Sequence, residues 1–210
     1  MDPYSMVIAV ANQKGGCAKT TTAVNLAAAL AKGEKDRSRW TIPPAKVLLI
    51  DLDPQGNCST SFGVEKRDLK KTVHDLLMND SGEELPIMDE FLLSPEMLTN
   101  SVQRAWKAEY PNKRLPKDLK VSNLWLLPSS IHLSGAEIEL SHKLGRETRL
   151  REALATIEHE FDYIIIDTPP SLGLLTINAM AVARWVLIPV QAEFYALEGM
   201  SLLMNSVKLV

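Results

Sequence analysis

A glycine-containing loop near the start of the chain most constrains how it can fold. The segment NQKGGCAKT (12–20) follows the apolar run MVIAVA (6–11) and leads directly into the alanine-rich segment TTTAVNLAAALA (20–31). In a strand-loop-helix unit of this kind, backbone N–H groups and the positive end of the helix converge on one point, which suits an anion. The pattern therefore predicts a phosphate-binding loop at the first strand-to-helix connection.

Two side chains at the end of this loop suit phosphate and metal chemistry. Lys19 is expected to lie over the β and γ phosphates of a nucleotide, and the Thr20 hydroxyl is expected to bind Mg²⁺. The strict pattern G-x-x-x-x-G-K-[ST] is not met, because Gln13 and Ala18 occupy its two glycine positions. The residues predicted to bind the nucleotide are Lys14, Gly15, Gly16, Cys17, Ala18, Lys19, Thr20 and Thr21.

Short apolar runs alternate with segments of helical periodicity along the rest of the chain. The strand-like runs are 6–11, 46–51, 124–128, 163–167 and 185–190, and the helical segments lie at 20–32 and between 133 and 159. Runs such as VLLI and YIII are apolar at consecutive positions, as in strands that helices cover on both faces. The sequence predicts an α/β fold with a doubly wound, mostly parallel sheet in a three-layer α/β/α arrangement. We expect one domain over 1–210, with surface insertions at about 33–44 and 79–120.

Acidic residues end two of the predicted strands. Asp51 and Asp53 end the run KVLLID and open a Pro/Gly loop, and Asp167 ends the run YIIID. The carboxyl ends of parallel strands form the ligand crevice, so these acids are expected to gather around the nucleotide. Asp167 suits Mg²⁺ binding through water, Asp53 suits orientation of the attacking water, and Asp51 is expected to be structural.

Composition limits which partners and which cellular compartment we expect for the protein. The 23 Lys and Arg residues against 26 Asp and Glu residues give a net charge of -3, so contact with nucleic acid requires a local basic patch. The start of the chain does not resemble an export signal, and no apolar run reaches the roughly 18 residues that cross a bilayer. We expect a cytoplasmic protein without stable membrane association, in which Cys17 and Cys58 are free thiols.

Several blocks of the chain resemble the ParA/Soj partition ATPases, which carry a deviant Walker A loop. The matching blocks are NQKGGCAKTTTAVNLAAAL, VLLIDLDPQGNCSTSFG, LPSSIHLSGAEIEL, DYIIIDTPPSLGLLTINAM and VLIPVQAEFYALEG. The resemblance implies that Lys14 reaches the phosphate of a partner subunit in an ATP-dependent homodimer. It also implies that Asp53 aids hydrolysis and that Asp167 is the Walker B acid. Lys14, Lys19 and Asp53 are thus the expected catalytic residues, with ATP and Mg²⁺ as cofactors.

The same resemblance implies a cellular role and partners. A ParA-like dimer binds DNA non-specifically on the nucleoid, and a centromere-binding partner of ParB type stimulates hydrolysis. The family usually has glycine where Ala18 stands, which implies slow turnover. Members usually continue past this point with more strands and helices, so we expect the chain to be short at its C-terminus relative to the family.

Three alternatives to a partition ATPase stay open at this stage. A MinD-like membrane-associated spatial regulator needs a basic amphipathic helix at its C-terminus, for which SLLMNSVKLV has one lysine. A metabolic enzyme of the wider superfamily, such as an ATP-dependent amide-forming enzyme or a reductase component, is the second. The third is a nucleotide-binding module with little hydrolysis.

Overall fold

The computed structural model describes residues 5–36, 39–79 and 88–191, and its main feature is a five-stranded parallel sheet. The strands are β1 (Met6–Val10), β2 (Glu34–Asp36), β3 (Arg39–Ile42), β4 (Val47–Asp51), β5 (Leu124–Leu127), β6 (Tyr163–Asp167) and β7 (Trp185–Leu187). The main sheet has the order β5-β4-β6-β1-β7, and each neighbouring pair is parallel. The strand that precedes the phosphate loop therefore lies beside the strand that ends in Asp167.

Helices cover both faces of this sheet. They are α1 (Lys19–Lys32), α2 (Asn57–Ser61), α3 (Val73–Met78), α4 (Pro95–Glu109), α5 (Leu133–Ser141), α6 (Arg149–Leu154) and α7 (Leu174–Val182). Side chains of α1, α2 and α4 share one apolar cluster with the sheet, and side chains of α3, α5, α6 and α7 share the other. This is the three-layer α/β/α arrangement predicted from the alternating pattern.

The strand sequences explain why both faces are covered. Every residue of β4 is buried, as is every residue of β6 after Tyr163. Such strands offer apolar side chains to both faces, and helices on both sides remove that surface from water. On one face α1 packs through Ala23, Ala27 and Ala31, whose small side chains let the helix lie close to the strands.

The two stretches expected to be surface insertions contain regular elements. Within 33–44, β2 and β3 pair as an antiparallel hairpin whose described side chains are exposed. Within 79–120, the 15-residue helix α4 begins at a Ser94 cap and buries Leu98 against the sheet. Leu93 in addition pairs with Leu126 through a single antiparallel bridge. The polar residues of the second stretch correctly indicated that much of it is exposed, but they gave no sign that α4 also packs against the sheet.

The end of β7 and the end of the described residues bear on two predictions made for the C-terminal part of the chain. β7 ends at Leu187, three residues before the predicted end of the run 185–190. The stretch 192–210, which includes the segment that a membrane-binding alternative needs, lies outside the described residues. Among the helices that the structure describes, none has the length and apolar character needed to cross a membrane.

Candidate nucleotide-binding site

The sheet register brings two acids together at the carboxyl edge. β4 and β6 are adjacent and parallel, and Asp51 lies directly opposite Asp167 in the last pair of the ladder. Val10, the last residue of β1, lies on the other side of Asp167. The phosphate loop follows β1, so the loop and both acids meet at one edge of the sheet.

The loop turns sharply before α1 begins. Gly16 and Ala18 both have positive φ angles, of 73° and 65°. The turn is held by two side-chain amides: the first loop residue, Asn12, accepts the Lys14 N–H at 3.0 Å and donates to the Pro189 carbonyl at 2.7 Å. Gln191 donates to the Gly16 carbonyl at 3.2 Å. The segment after β7 therefore braces the phosphate loop, a role that sequence reasoning did not assign to it.

Lys19 is the first residue of α1 and is only 7% exposed. Its Nζ lies 3.5 Å from the Lys14 carbonyl oxygen, so the ammonium group curls back over the loop. A buried lysine is costly unless its charge has partners, and carbonyl oxygens supply part of that compensation. The action of Lys19 on an anion inside the loop stays a prediction.

Thr20 makes the most direct link between the loop and the acids. Its Oγ1 donates a 2.6 Å hydrogen bond to Oδ2 of Asp167. The other oxygen of that carboxylate, Oδ1, is buried without a hydrogen-bond partner among the described residues. A hydroxyl and a carboxylate with an open oxygen form a set of hard oxygen donors, which is the set that Mg²⁺ prefers.

The remaining predicted loop residues lie around this centre. Gly15 and Gly16 are exposed, and no atom beyond the adjacent residues lies within 4 Å of a Cβ built on either one, which leaves their backbone open to a ligand. Cys17 is buried, and Thr21 is exposed on the first turn of α1. The Lys14 side chain is exposed.

Burial raises the pKa values of the two acids at the strand ends. Desolvation, reinforced by the neighbouring Asp167 charge, raises the pKa of Asp51 to about 8. Desolvation also raises the pKa of Asp167 to about 6, although the Thr20 hydrogen bond lowers it. Asp51 accepts the backbone N–H groups of Asp53 at 3.1 Å and Cys58 at 3.0 Å, so it holds the chain that follows β4. That arrangement agrees with the structural role expected for Asp51.

Asp53 lies on the loop between β4 and α2 and is half-buried. Its carboxylate accepts the Gln55 N–H at 2.9 Å, and its carbonyl accepts the Ser129 hydroxyl at 2.6 Å. From outside, Lys66 donates to the Gln55 carbonyl and lies over Gly56. The loop faces the segment 169–171 across an open cavity of about 380 Å³, so its acid side chain borders accessible space.

Cys58 contacts the site although sequence reasoning gave it no role. Its Sγ lies 3.6 Å from Oδ2 of Asp167, and the residue is fully buried. Burial and the two nearby acids raise the pKa of this thiol well above its usual range, so it keeps its proton. No sequence signal reveals such a contact, because it joins residues 109 positions apart. Ser129, which sits just after β5, was missed for the same reason.

The fold and the site together define a P-loop nucleoside-triphosphatase fold, with the loop beside an acid-bearing strand. Comparisons with known proteins narrow the class. A family model described as an AAA domain matches residues 5–210. The sporulation initiation inhibitor protein Soj of Bacillus subtilis is 44% identical over 204 residues, and the chromosome partitioning protein ParA of Myxococcus xanthus is 42% identical over 204 residues. The chain belongs to this AAA-domain family, as a member of its ParA/Soj group.

These matches cover almost all of this chain but only part of each relative. They cover 97% of this chain but 65% of Soj and 58% of ParA, so the chain spans about three fifths of the length of these relatives. Among solved structures, cobyrinic acid a,c-diamide synthase from Mycobacterium smegmatis, with bound ADP and magnesium, has a TM-score of 0.72 and 35% identity. That match covers 98% of this chain and 68% of the other.

Proposed function

We propose that this chain binds ATP with Mg²⁺, hydrolyses the ATP slowly and acts as a partition ATPase. The single observation that carries the proposal is the 2.6 Å hydrogen bond between Thr20 and Asp167, which joins a phosphate loop to the acid of the neighbouring strand. The identity of 44% with Soj and of 42% with ParA supports the same role. The activity and the partners of those longer proteins are extended to this chain as part of the proposal.

The nucleotide phosphates would bind in the cradle of residues 14–21. The open backbone at Gly15 and Gly16 supplies N–H donors, and the N-terminus of α1 adds its positive dipole end. Lys19 balances negative charge on the β and γ phosphates from a buried position, where a charge acts more strongly than in water. ADP in the solved structure of a relative that is 35% identical supports an adenine nucleotide as the ligand.

Thr20 and Asp167 would hold the Mg²⁺, the acid through a water molecule. The fit rests on the donor set: the Thr20 hydroxyl, and the buried Oδ1 of Asp167 without a partner among the described residues. When bound, the ion supplies charge neutralisation for the phosphates during transfer. Asp167 has to be ionised for this role, and the raised pKa of about 6 still leaves it mostly ionised near neutral pH.

Asp53 would orient the water that attacks the γ phosphate. Its carboxylate borders an open cavity, while its backbone is fixed by Ser129 and by the carboxylate of Asp51. A carboxylate within hydrogen-bond reach of water contributes typically 10²- to 10⁴-fold as a general base, provided that its position is well defined. The bonds to its backbone supply that definition.

Nucleotide binding would switch the chain between a monomer and a dimer. The exposed Lys14 side chain would reach the phosphate of the partner subunit, which ties dimerisation to ATP. The dimer would bind DNA non-specifically on the nucleoid, and a partner of ParB type would stimulate hydrolysis. The net charge of -3 requires a local basic patch for the DNA contact.

The decisive experiment measures phosphate release by the purified chain with Mg²⁺ and ATP, with and without non-specific DNA. Turnover that rises with DNA is the expected result. Binding of ATP without turnover would reduce the proposal to a nucleotide-binding module, and absence of ATP binding would overturn it. Sedimentation with a non-hydrolysable ATP analogue tests the dimer separately, with Lys14→Ala as the variant expected to stay monomeric.

A second candidate is an ATP-dependent amide-forming enzyme. The observation that favours it is the 35% identity with cobyrinic acid a,c-diamide synthase over 98% of the chain. Such an enzyme would release phosphate only when its carboxylic acid substrate and an amide nitrogen donor are present, and DNA would have no effect on it. The response to DNA therefore separates the two candidates in one assay. The higher identities with Soj and ParA make partition the first choice.

A further inference from the structure

Cys58 connects the loop that carries Asp53 to the acid at the end of β6. We propose that the Cys58 thiol is a positioning group, which donates its S–H to Oδ2 of Asp167 and fixes the orientation of that carboxylate for Mg²⁺ binding. The inference rests on the proposed nucleotide site, and it assigns a role to a residue outside the phosphate loop.

The thiol lies beside two buried acids, Asp51 and Asp167, and its side-chain hydrogen bond goes to Asp167. The Sγ to Oδ2 distance is 3.6 Å, which is within the range of hydrogen bonds that involve sulfur. Cys58 is 0% exposed, so water does not compete for the thiol or for the acceptor. The backbone N–H of the same residue donates to Oδ2 of Asp51 at 3.0 Å, which fixes the start of α2 and hence the direction of the side chain.

Two donors then determine how the Asp167 carboxylate is turned. Thr20 donates to Oδ2 from α1, and Cys58 donates to the same oxygen from α2. Oδ1 consequently faces away from both donors and has no partner among the described residues, which leaves its lone pairs for an ion or for water bound to the ion. If Thr20 turns towards a bound ion, the thiol is the donor that still holds Oδ2.

The position of Cys58 in the chain gives this contact a second consequence. Cys58 is the second residue of α2, and α2 begins directly after the loop 53–56. A displacement of that loop moves the thiol, and the thiol contacts the acid that is proposed to hold the ion. The orientation of Asp167 therefore depends on the conformation of the segment that carries the proposed catalytic acid, Asp53.

A matched pair of substitutions tests the role of the donor. Cys58→Ser keeps an O–H donor, whereas Cys58→Ala removes it, and the two new side chains have nearly the same volume. The measurement is the Mg²⁺ concentration that half-saturates binding of a fluorescent ATP analogue. We expect about three- to tenfold more Mg²⁺ for Cys58→Ala than for wild type, since one hydrogen bond contributes about that much. Cys58→Ser is expected to lie close to wild type.

The melting temperature of each variant controls for packing. Both substitutions remove the sulfur from the same apolar cluster, so both are expected to lower the melting temperature to a similar extent. An equal Mg²⁺ requirement in Cys58→Ala and Cys58→Ser would overturn the proposal, whatever their stabilities. A purely structural cysteine predicts that result.

Infrared spectroscopy supplies a readout that needs neither metal nor nucleotide. The difference spectrum of wild type minus Cys58→Ala isolates the S–H stretching band of Cys58, because the Cys17 band cancels. We expect a band at lower frequency than a free thiol, returning to the free position in Asp167→Ala. An unshifted band overturns the thiol contact. If the band is shifted but the wild-type chain binds no nucleotide, the proposed function fails and the contact itself is supported.

Discussion

The Thr20 hydroxyl lies 2.6 Å from Oδ2 of Asp167 and ties the first turn of α1 to the end of β6. These residues are 147 positions apart, and the adjacency of β1 and β6 in the sheet brings them together. The bond joins the two residues that are proposed to hold Mg²⁺. A bound Mg²⁺ ion has to share or replace this hydrogen bond. Substitutions of the residues around the bond are expected to distinguish ATP binding from ATP hydrolysis.

The first prediction concerns Lys19. Lys19→Ala is expected to lower turnover by at least about 100-fold, because it removes a preorganised positive charge from the phosphates. The control is Lys32→Ala, at the exposed end of the same helix, which is expected to hydrolyse ATP like wild type. Phosphate release at matched protein concentration measures both. Equal losses in the two variants would show that charge on α1 in general, not Lys19, is needed.

Asp53→Ala is expected to separate binding from chemistry. The variant should bind ATP as wild type does and lose about 10²- to 10⁴-fold in turnover, the range of a missing general base. Asp89→Ala changes an exposed acid in a short turn away from the loop and is expected to have no effect. Nucleotide binding by fluorescence and turnover by phosphate release give the two quantities. A parallel loss of both in Asp53→Ala would contradict the assigned role.

The buried acid Asp51 predicts how stability depends on pH. Its pKa rises from 3.8 to about 8 on folding, so its contribution to stability is fully present below about pH 3.8 and is lost as the pH rises through about 8. Urea unfolding in metal-free buffer should therefore show stability falling from about pH 5 to about pH 8, by at most about 1.4 kcal/mol per pH unit for this group. Asp51→Asn is expected to flatten that slope. Parallel slopes for variant and wild type would refute the assignment.

Replacing Ala18 with glycine is expected to stabilise the protein, although glycine is usually destabilising. Its φ of 65° lies in the left-handed region, which costs a residue with a Cβ about 1–2 kcal/mol. Ala18→Gly removes that cost and is expected to raise the free energy of unfolding by up to about 1 kcal/mol, after the added entropy of the unfolded chain. The control Ala29→Gly, at an exposed position within α1, is expected to lower it by about 1 kcal/mol. Chemical denaturation measures both, and losses of equal size would argue against strain at Ala18.

Lys66 is predicted to restrain the loop that carries Asp53. Lys66→Met removes the donor to the Gln55 carbonyl and should speed hydrogen exchange at the amides of 53–57. Lys70→Met, at an exposed position on the same segment, serves as the comparison. Exchange followed by mass spectrometry should show a faster loop in the first variant alone. Identical exchange in both would mean that the bonds from Ser129 and Asp51 suffice to hold it.

Much of the fold was predictable because the sequence pattern of each strand or helix matches the way in which that element packs in the structure. Consecutive apolar residues in β4 and β6 indicated strands buried on both faces, and the fold confirms this. The glycine loop before an alanine-rich segment indicated a helix from Thr20, and α1 begins one residue earlier, at Lys19. Asp51 and Asp167 were expected at one edge, because parallel strands end on the same side of a sheet.

The contacts that tune the site were not predictable in this way. The thiol of Cys58, the hydroxyl of Ser129 and the amide of Gln191 reach the site from elements far away in sequence, and each belongs to a residue type with many ordinary roles. The buried side of α4 was missed because its sequence is mostly polar and only Leu98 and Ser101 are buried. Such features depend on how elements pack, which no single segment encodes.

The pairing of β4 with β6 also bears on how such a protein can diversify. Neighbouring strands lie about 4.8 Å apart whatever connects them, so the ladder itself sets the separation of Asp51 and Asp167. The stretch between α2 and β5, which includes α4 and the turns around it, can lengthen, shorten or be exchanged without altering that separation. A library that grafts new segments between α2 and β5 would thus sample new surfaces while the pair of acids, Asp53 and Cys58 stay in place, which makes this stretch a natural point for engineering.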